Sequence, residues 1–300
     1  MNKKKSGNFK SGFVAIIGPP NAGKSTFLNK VLGEKISITS KKPQTTRNRL
    51  IGILTRSSAQ FIFVDTPGVH KPKGILNERI VNTAISAIAD VDLILLLIDA
   101  ANVDSVSEQI IIKQLAKHKR PTILALNKID IVDKNRLLPQ INRLAKLYSF
   151  KSIVPISAKN GEQLDSLLNI MEESLPEGPL LYPEDTLTES STKFITAEII
   201  REKAFRLTGQ EIPYSVAVTI DSFKEKKKGT LVKIFASIHV ERDSQKKIII
   251  GKGGSKIKEI GQSARLDIEK MLNKKVYLEL FIRVQKNWSR DTKALRNFGY

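Results

Sequence analysis

Along the first half of the chain, short apolar runs alternate with stretches in which apolar residues recur every three to four positions. The runs at 13–17, 61–64, 93–98, 122–126 and 153–156 are apolar apart from Thr122 and stop at Gly, Asp, Asn or Ser, as parallel strands buried on both faces do. The helical period appears at 75–88, 106–115, 137–147 and 164–175, which supplies the crossover helices that parallel pairing needs. The pattern predicts an α/β unit with a mostly parallel, doubly wound sheet, whose ligands gather beyond the carboxyl ends of the strands. Leu175-Pro176-Glu177-Gly178-Pro179 halts the last helix, and the acidic, proline-containing stretch that follows reads as a linker. Beyond it the order changes to a helix around 194–207, strands around 214–220 and 231–240, a helical period at Ile257, Ile260, Ala264, Ile268 and Met271, and alternation over 276–284. This is the pattern of a small α+β unit. The expected organisation is 8–176, a linker at 177–191, and 192–300.

Composition narrows the partner. The 41% hydrophobic content supports cored globular units, and 50 basic against 30 acidic residues give a net charge of +20, which points to a polyanion, either nucleic acid or an anionic membrane surface. From Thr192 onward there are 24 Lys and Arg against 12 Asp and Glu, so +12 of the charge lies in the α+β unit. With no cysteine, disulfides and thiolate metal sites are excluded, which suits a reducing cytosol. Met1-Asn2-Lys3-Lys4-Lys5 is followed by too short an apolar stretch for a signal peptide. The longest apolar run, 93–98, falls far short of the roughly 20 residues of a membrane span, so any membrane contact is expected to be peripheral.

The strand ends carry the chemistry. Gly18-Pro19-Pro20-Asn21-Ala22-Gly23-Lys24-Ser25, followed by Thr26, lies between an apolar run and a helix. That is the setting of a P-loop, in which backbone N–H groups and a helix N-terminus cradle a polyphosphate. Lys24 would reach the β and γ phosphates, and the Ser25 hydroxyl would hold Mg2+. The polar stretch 36–49 reads as a mobile switch loop. Its Thr46, or Thr45 beside it, would join Mg2+ and meet the γ phosphate. Asp65-Thr66-Pro67-Gly68 closes the second run, with Asp65 placed to hold Mg2+ through a water and the Gly68 N–H to sense the γ phosphate. At Asn127-Lys128-Ile129-Asp130, the Asp130 carboxylate can accept from two guanine N–H groups, which adenine does not offer. An ATPase is thereby disfavoured. Asn127 and Lys128 would pack over the base and tie back to the P-loop, and in Ser157-Ala158-Lys159 the Ala158 N–H would meet guanine O6.

Together these motifs resemble the translation-factor-related GTPases, and Gln44-Thr45-Thr46-Arg47 looks like their Era-like family. In the α+β unit, Gly251-Lys252-Gly253-Gly254 with Lys256 and Lys258 forms a Gly-x-x-Gly turn of the kind that clamps single-stranded RNA in KH domains, expected with a strand before it and a helix after it. Residues 249–258, 199–203 and 294–300 resemble the corresponding segments of that family, so the likeness covers nearly the whole chain. It implies a P-loop NTPase G domain plus a type II KH domain, and a GTPase using GTP, GDP and Mg2+. It also implies binding to the 3′ end of 16S ribosomal RNA, a part in 30S subunit maturation, and a cytoplasmic location with peripheral inner-membrane contact. A monomer is the default expectation. The alternative, on residues alone, is a GTP-switched regulator whose basic domain binds a protein or anionic lipid.

Hydrolysis is expected to be slow. Where Ras-type enzymes carry a water-orienting glutamine, this chain has Val69, whose side chain cannot hold a water. Likeness to the same family implies K+ binding at Asn21, supplying charge that an arginine supplies elsewhere. His70 reads as a bystander, and Trp288 as packing.

Overall fold

The computed structural model describes residues 9–40, 45–72, 74–208, 216–225 and 230–300. Gln44 of the switch-loop motif, Asn8 at the expected start of the first domain and Tyr214 at the expected start of a strand lie outside the described residues. The chain divides into two compact units. One comprises Met1–Ser37, Thr46–Lys73 and Asn77–Glu189, the other Ile38–Thr45, Gly74–Leu76 and Ser190–Tyr300.

The first unit is built on strands β1 (Lys10–Ile17), β2 (Leu50–Thr55), β3 (Ala59–Asp65), β4 (Leu93–Asp99), β5 (Thr122–Asn127) and β6 (Ser152–Ile156), in the sheet order β2-β3-β1-β4-β5-β6. All pairs are parallel except β2 with β3. Every residue of β3, β4 and β5 is buried, the burial on both faces that their apolar runs foretold. Helices α1 (Lys24–Leu32), α2 (Ile75–Ser86), α3 (Ser105–His118) and α4 (Lys134–Ala145) connect the strands, and α5 (Leu164–Ser174) follows the last of them. Strand β2 has no counterpart among the predicted runs. It pairs antiparallel with β3 and carries partly exposed residues, and Gly52 interrupts its apolar run.

The stretch after α5 is docked rather than free. Gln60, fully buried on β3, accepts hydrogen bonds from the N–H groups of Leu181 and Tyr182 and donates to the Tyr182 carbonyl. The Ile53 N–H donates to the Leu187 carbonyl and the Thr188 hydroxyl to the Ile51 carbonyl. Residues through Glu189 thus belong to the first compact unit.

The second unit pairs β7 (Ala217–Glu225) antiparallel with β8 (Leu231–Val240), and β8 parallel with β9 (Lys275–Val284). Helices α6 (Thr192–Leu207) and α8 (Ser255–Leu272) bury Ile195, Ile199, Ile200, Phe205, Ile260, Ala264 and Ile268 with Val232, Ile234 and Ile238 of the sheet. Helix α7 (Asp243–Ile250) precedes the Gly-x-x-Gly turn, and α9 (Thr292–Asn297) closes the chain. The turn therefore follows a helix, correcting the expected strand. Gln245 caps the helix start by accepting from the N–H groups of Glu241 and Arg242. Of the three isoleucines at 248–250 only Ile249 is buried. Trp288 is fully buried, edge-on to Phe298 at 5.1 Å and stacked on Tyr300, so it packs as expected.

Candidate functional site

The ends of β1, β3, β5 and β6 bring the predicted nucleotide residues together in the first unit. The P-loop leaves β1 and enters α1 at Lys24. Gly23 has φ +100°, and a β-carbon there would fall 2.2 Å from Asn127 Nδ2, so only glycine lets this turn meet the Asn127–Asp130 stretch. Asn127, buried at the end of β5, donates through Nδ2 to the Ala22 carbonyl at 2.8 Å and accepts from the Ala158 N–H at 2.9 Å. One amide thus ties the P-loop to the Ser157-Ala158-Lys159 loop. The Ala158 N–H, expected to face guanine O6, is already engaged by this side chain.

Asp130 lies in a short 3-10 turn, Ile129–Ile131. The Ser157 hydroxyl donates to its Oδ1 at 2.7 Å, fixing the carboxylate that would read the base. Lys128 forms an ion pair with Asp99 at 2.6 Å, and Asp99 is the register neighbour of Asn127 on β4. Its part in holding Lys128 was not foreseen, although β4 ending in an acid was visible in the sequence. Lys159 is exposed.

The phosphate end is buried and polar. Lys24 Nζ donates to the carbonyls of Gly18 at 3.1 Å and Pro19 at 2.8 Å. Burial lowers its pKa to about 8, a fall that the nearby Asp65 charge opposes. Burial likewise pushes the Asp65 carboxyl up, against hydrogen bonds from Ser37 and Ser25 and the attraction of Lys24. The Thr46 and Ser25 hydroxyls lie 2.9 Å apart, and Ser25 donates to Asp65 Oδ2 at 3.0 Å. The three predicted metal residues therefore converge. Asp65 Oδ1 is buried and has no hydrogen-bond partner among the described residues, an orphan that a hydrated cation would satisfy. Two hydroxyls and a carboxylate are hard oxygen donors, and they fit Mg2+. Thr66 anchors the turn by donating to the Ile16 carbonyl at 2.7 Å, and the Val69 N–H donates to the Gly18 carbonyl at 3.0 Å. Pro67 and Gly68 are buried between these anchors. Val69 itself sits in the core, away from any role in holding water. Asn21 is exposed with φ +61°, and His70 Nδ1 lies 2.9 Å from the Gly68 carbonyl.

In the second unit, Lys252, Gly253 and Lys258 are exposed. Gly253 has φ +59° and nothing within 4 Å of an added β-carbon, so the turn offers open backbone. Lys256 is paired with Glu259 at 3.1 Å, which leaves Lys252 and Lys258 as the exposed charges of the predicted set. The arrangement suits a phosphate backbone approaching from solvent.

A family model described as a 50S ribosome-binding GTPase matches residues 13–128, and one described as a KH domain matches residues 211–289. The chain is 53% identical to GTPase Era of Geobacter metallireducens over 97% of its own length and 98% of that protein's. To GTPase Era of Staphylococcus haemolyticus it is 46% identical, with 97% of each chain covered. Two solved structures superpose on it with a TM-score of 0.93 at 41% identity, covering 97% of this chain and 99% of theirs. One is a variant of Aquifex aeolicus Era bound to GDP and AlF4−, the other Era in complex with MgGDPNP and nucleotides 1506–1542 of 16S ribosomal RNA.

Proposed function

The chain belongs to the Era family of GTPases, and from that premise we propose that it clamps the 3′ end of 16S ribosomal RNA in its Gly-x-x-Gly turn and acts in maturation of the 30S subunit. It binds and hydrolyses GTP. In this proposal the P-loop from Gly18 to Thr26 cradles the phosphates, Lys24 neutralises them, and Asn127, Lys128, Asp130 and the Ser157 loop hold guanine. Mg2+, when bound, would neutralise the negative charge that develops on the phosphates. Ser25, Thr46 and Asp65 are the residues we assign to hold it. Thr46 and the Gly68 N–H would meet the γ phosphate.

With Val69 in the core, no side chain at that position orients the attacking water, so unassisted turnover is slow. We assign K+ coordination to Asn21 as the compensating charge. Equal turnover in sodium and potassium buffers would remove that assignment. The partners put the protein's work in the cytoplasm, and contact with the inner membrane is peripheral in this proposal. No described helix is long and apolar enough to cross a membrane.

The observation that carries the RNA assignment is an exposed, glycine-framed turn flanked by solvated lysines in a unit of family-matched KH type. It is tested by titrating an oligonucleotide copy of the 16S 3′ end across salt, with a GTP analogue and with GDP. Tight binding in the GTP form that weakens steeply with salt is expected. Weak binding, indifferent to nucleotide, would instead direct attention to a protein or anionic lipid as the partner of the basic domain.

A further inference from the structure

We propose that Ser37, at the entrance to the switch loop and not among the residues assigned to nucleotide or metal, is a positioning residue for Mg2+: held by Asn29 of the P-loop helix, its hydroxyl fixes one oxygen of Asp65 and leaves the other for the metal's water. This rests on the assignment of Ser25, Thr46 and Asp65 to Mg2+ made above.

Ser37 is 2% exposed, and its Oγ donates to Asp65 Oδ2 at 2.8 Å. The Ser37 backbone does not hold itself there. Asn29 Oδ1 accepts from the N–H groups of Ile36 at 3.0 Å and Ser37 at 2.9 Å, and Asn29 Nδ2 donates to the Ser37 carbonyl at 2.7 Å. Three hydrogen bonds from one amide lock two residues at the entrance to the switch loop, and the adjoining Ile36 is buried as well. Asn29 lies four residues after Ser25 on α1, so both side chains project from the same face of one helix. The helix that presents the proposed metal hydroxyl thus also presents the clamp that aims Ser37.

Asp65 Oδ2 receives two hydroxyls, from Ser25 and Ser37. Ser25 has a second task as a metal ligand, whereas Ser37 has none, so Ser37 is the partner that can hold the carboxylate whether or not metal is present. Oδ1 remains buried and unpartnered among the described residues. Groups that orient a metal's carboxylate from behind commonly set affinity by about 10- to 100-fold.

The test follows release of a fluorescent GDP from the full-length protein as free Mg2+ is varied. In Ser37→Ala the Mg2+ concentration giving half of the slowing should rise about tenfold, while release in excess chelator stays as in the unsubstituted protein. Ser37→Thr, which keeps the hydroxyl, should restore the midpoint. Asn29→Ala should shift it in the same direction by less. An unchanged midpoint in Ser37→Ala overturns the proposal, and so does an equal acceleration with and without Mg2+, which marks a merely structural role. Ser25→Ala separates the two levels of inference. If it also leaves the midpoint in place, the assignment of Mg2+ to this cluster fails, rather than the role of Ser37 within it.

Discussion

The nucleotide pocket and the Gly-x-x-Gly turn are both glycine-framed stretches of backbone suited to phosphate, yet they are built on contrary principles. In the pocket, Lys24 and Asp65 are buried, their pKa values are displaced by desolvation, and nearly every polar atom is committed to a protein partner. At the turn, Lys252 and Lys258 stand in water and the backbone at Gly253 and Gly254 faces open space. Burial makes a mismatch expensive, because a wrong ligand leaves desolvated groups unpaired. Exposure makes recognition tolerant and dependent on counterions. The pocket is thus suited to choosing one base, and the turn to gripping a strand.

Four experiments would break or sharpen this contrast. The largest effect is expected at Asp130, where replacement by Asn swaps an acceptor for a donor facing guanine's own donors. Preference for GDP over xanthosine diphosphate, measured by competition, should fall by ~10⁴. A change of only a few-fold would mean that the pocket does not discriminate through this carboxylate. Next is Gly253→Asp, for which there is space but at a φ of +59° that strains any side chain. A carboxylate near a phosphate repels it by up to about 3–4 kcal/mol before screening, so RNA affinity should drop about a hundredfold, while Gly253→Ala, which carries the same backbone strain without the charge, should lose much less. If affinity were unaffected, the turn would not be the clamp.

Lys252→Ala should weaken RNA binding only a few-fold, uniformly across sequences, and reduce the slope of log affinity against log salt by about 1. An unchanged slope would show that this lysine meets no phosphate. The smallest effect concerns His239, the titrating group of the second unit that most resembles those of the pocket. It is largely buried on β8, with Nε2 2.9 Å from the Thr219 hydroxyl and its ring 4.5 Å from that of Phe298. Burial lowers its pKa and Arg283 adds to the fall, while Asp221 opposes it. The unfolded chain therefore takes up a proton before the folded one does. This contribution to stability is present above the ordinary histidine value of 6.5 and is lost as pH drops from there through the lower folded value. The melting temperature of the second unit should fall modestly over that window, and His239→Phe should flatten the dependence.

The strands of the pocket were legible because the buried β3, β4 and β5 read as nearly unbroken apolar runs, and because each functional group sits at the end of such a run. Strand β2 was not, although Leu50, Ile51, Ile53 and Leu54 are apolar, because Gly52 interrupts the run and no ligand motif closes it. Helix α7 was misread as a strand because three consecutive isoleucines outweighed Gln245, whose capping role shows only once the N–H groups it accepts are in place. Ser37 and Asn29 carry no sequence signal at all, being a serine in a polar loop and an asparagine in a helix that become meaningful only in contact. The docking of 177–189 was hidden likewise. Proline and acidic residues announced a break in regular structure, but the clasp depends on Gln60, more than a hundred residues earlier.

Asn127 joins two loops through a single amide, one bond to the Ala22 carbonyl and one from the Ala158 N–H. Hydrogen exchange at Ala158 therefore requires the amide's grip to loosen, and the same event frees the P-loop carbonyl. The backbone proton of a residue near the base thus reports on fluctuations beneath the phosphates, and the two loops open as one cooperative element rather than as independent flaps.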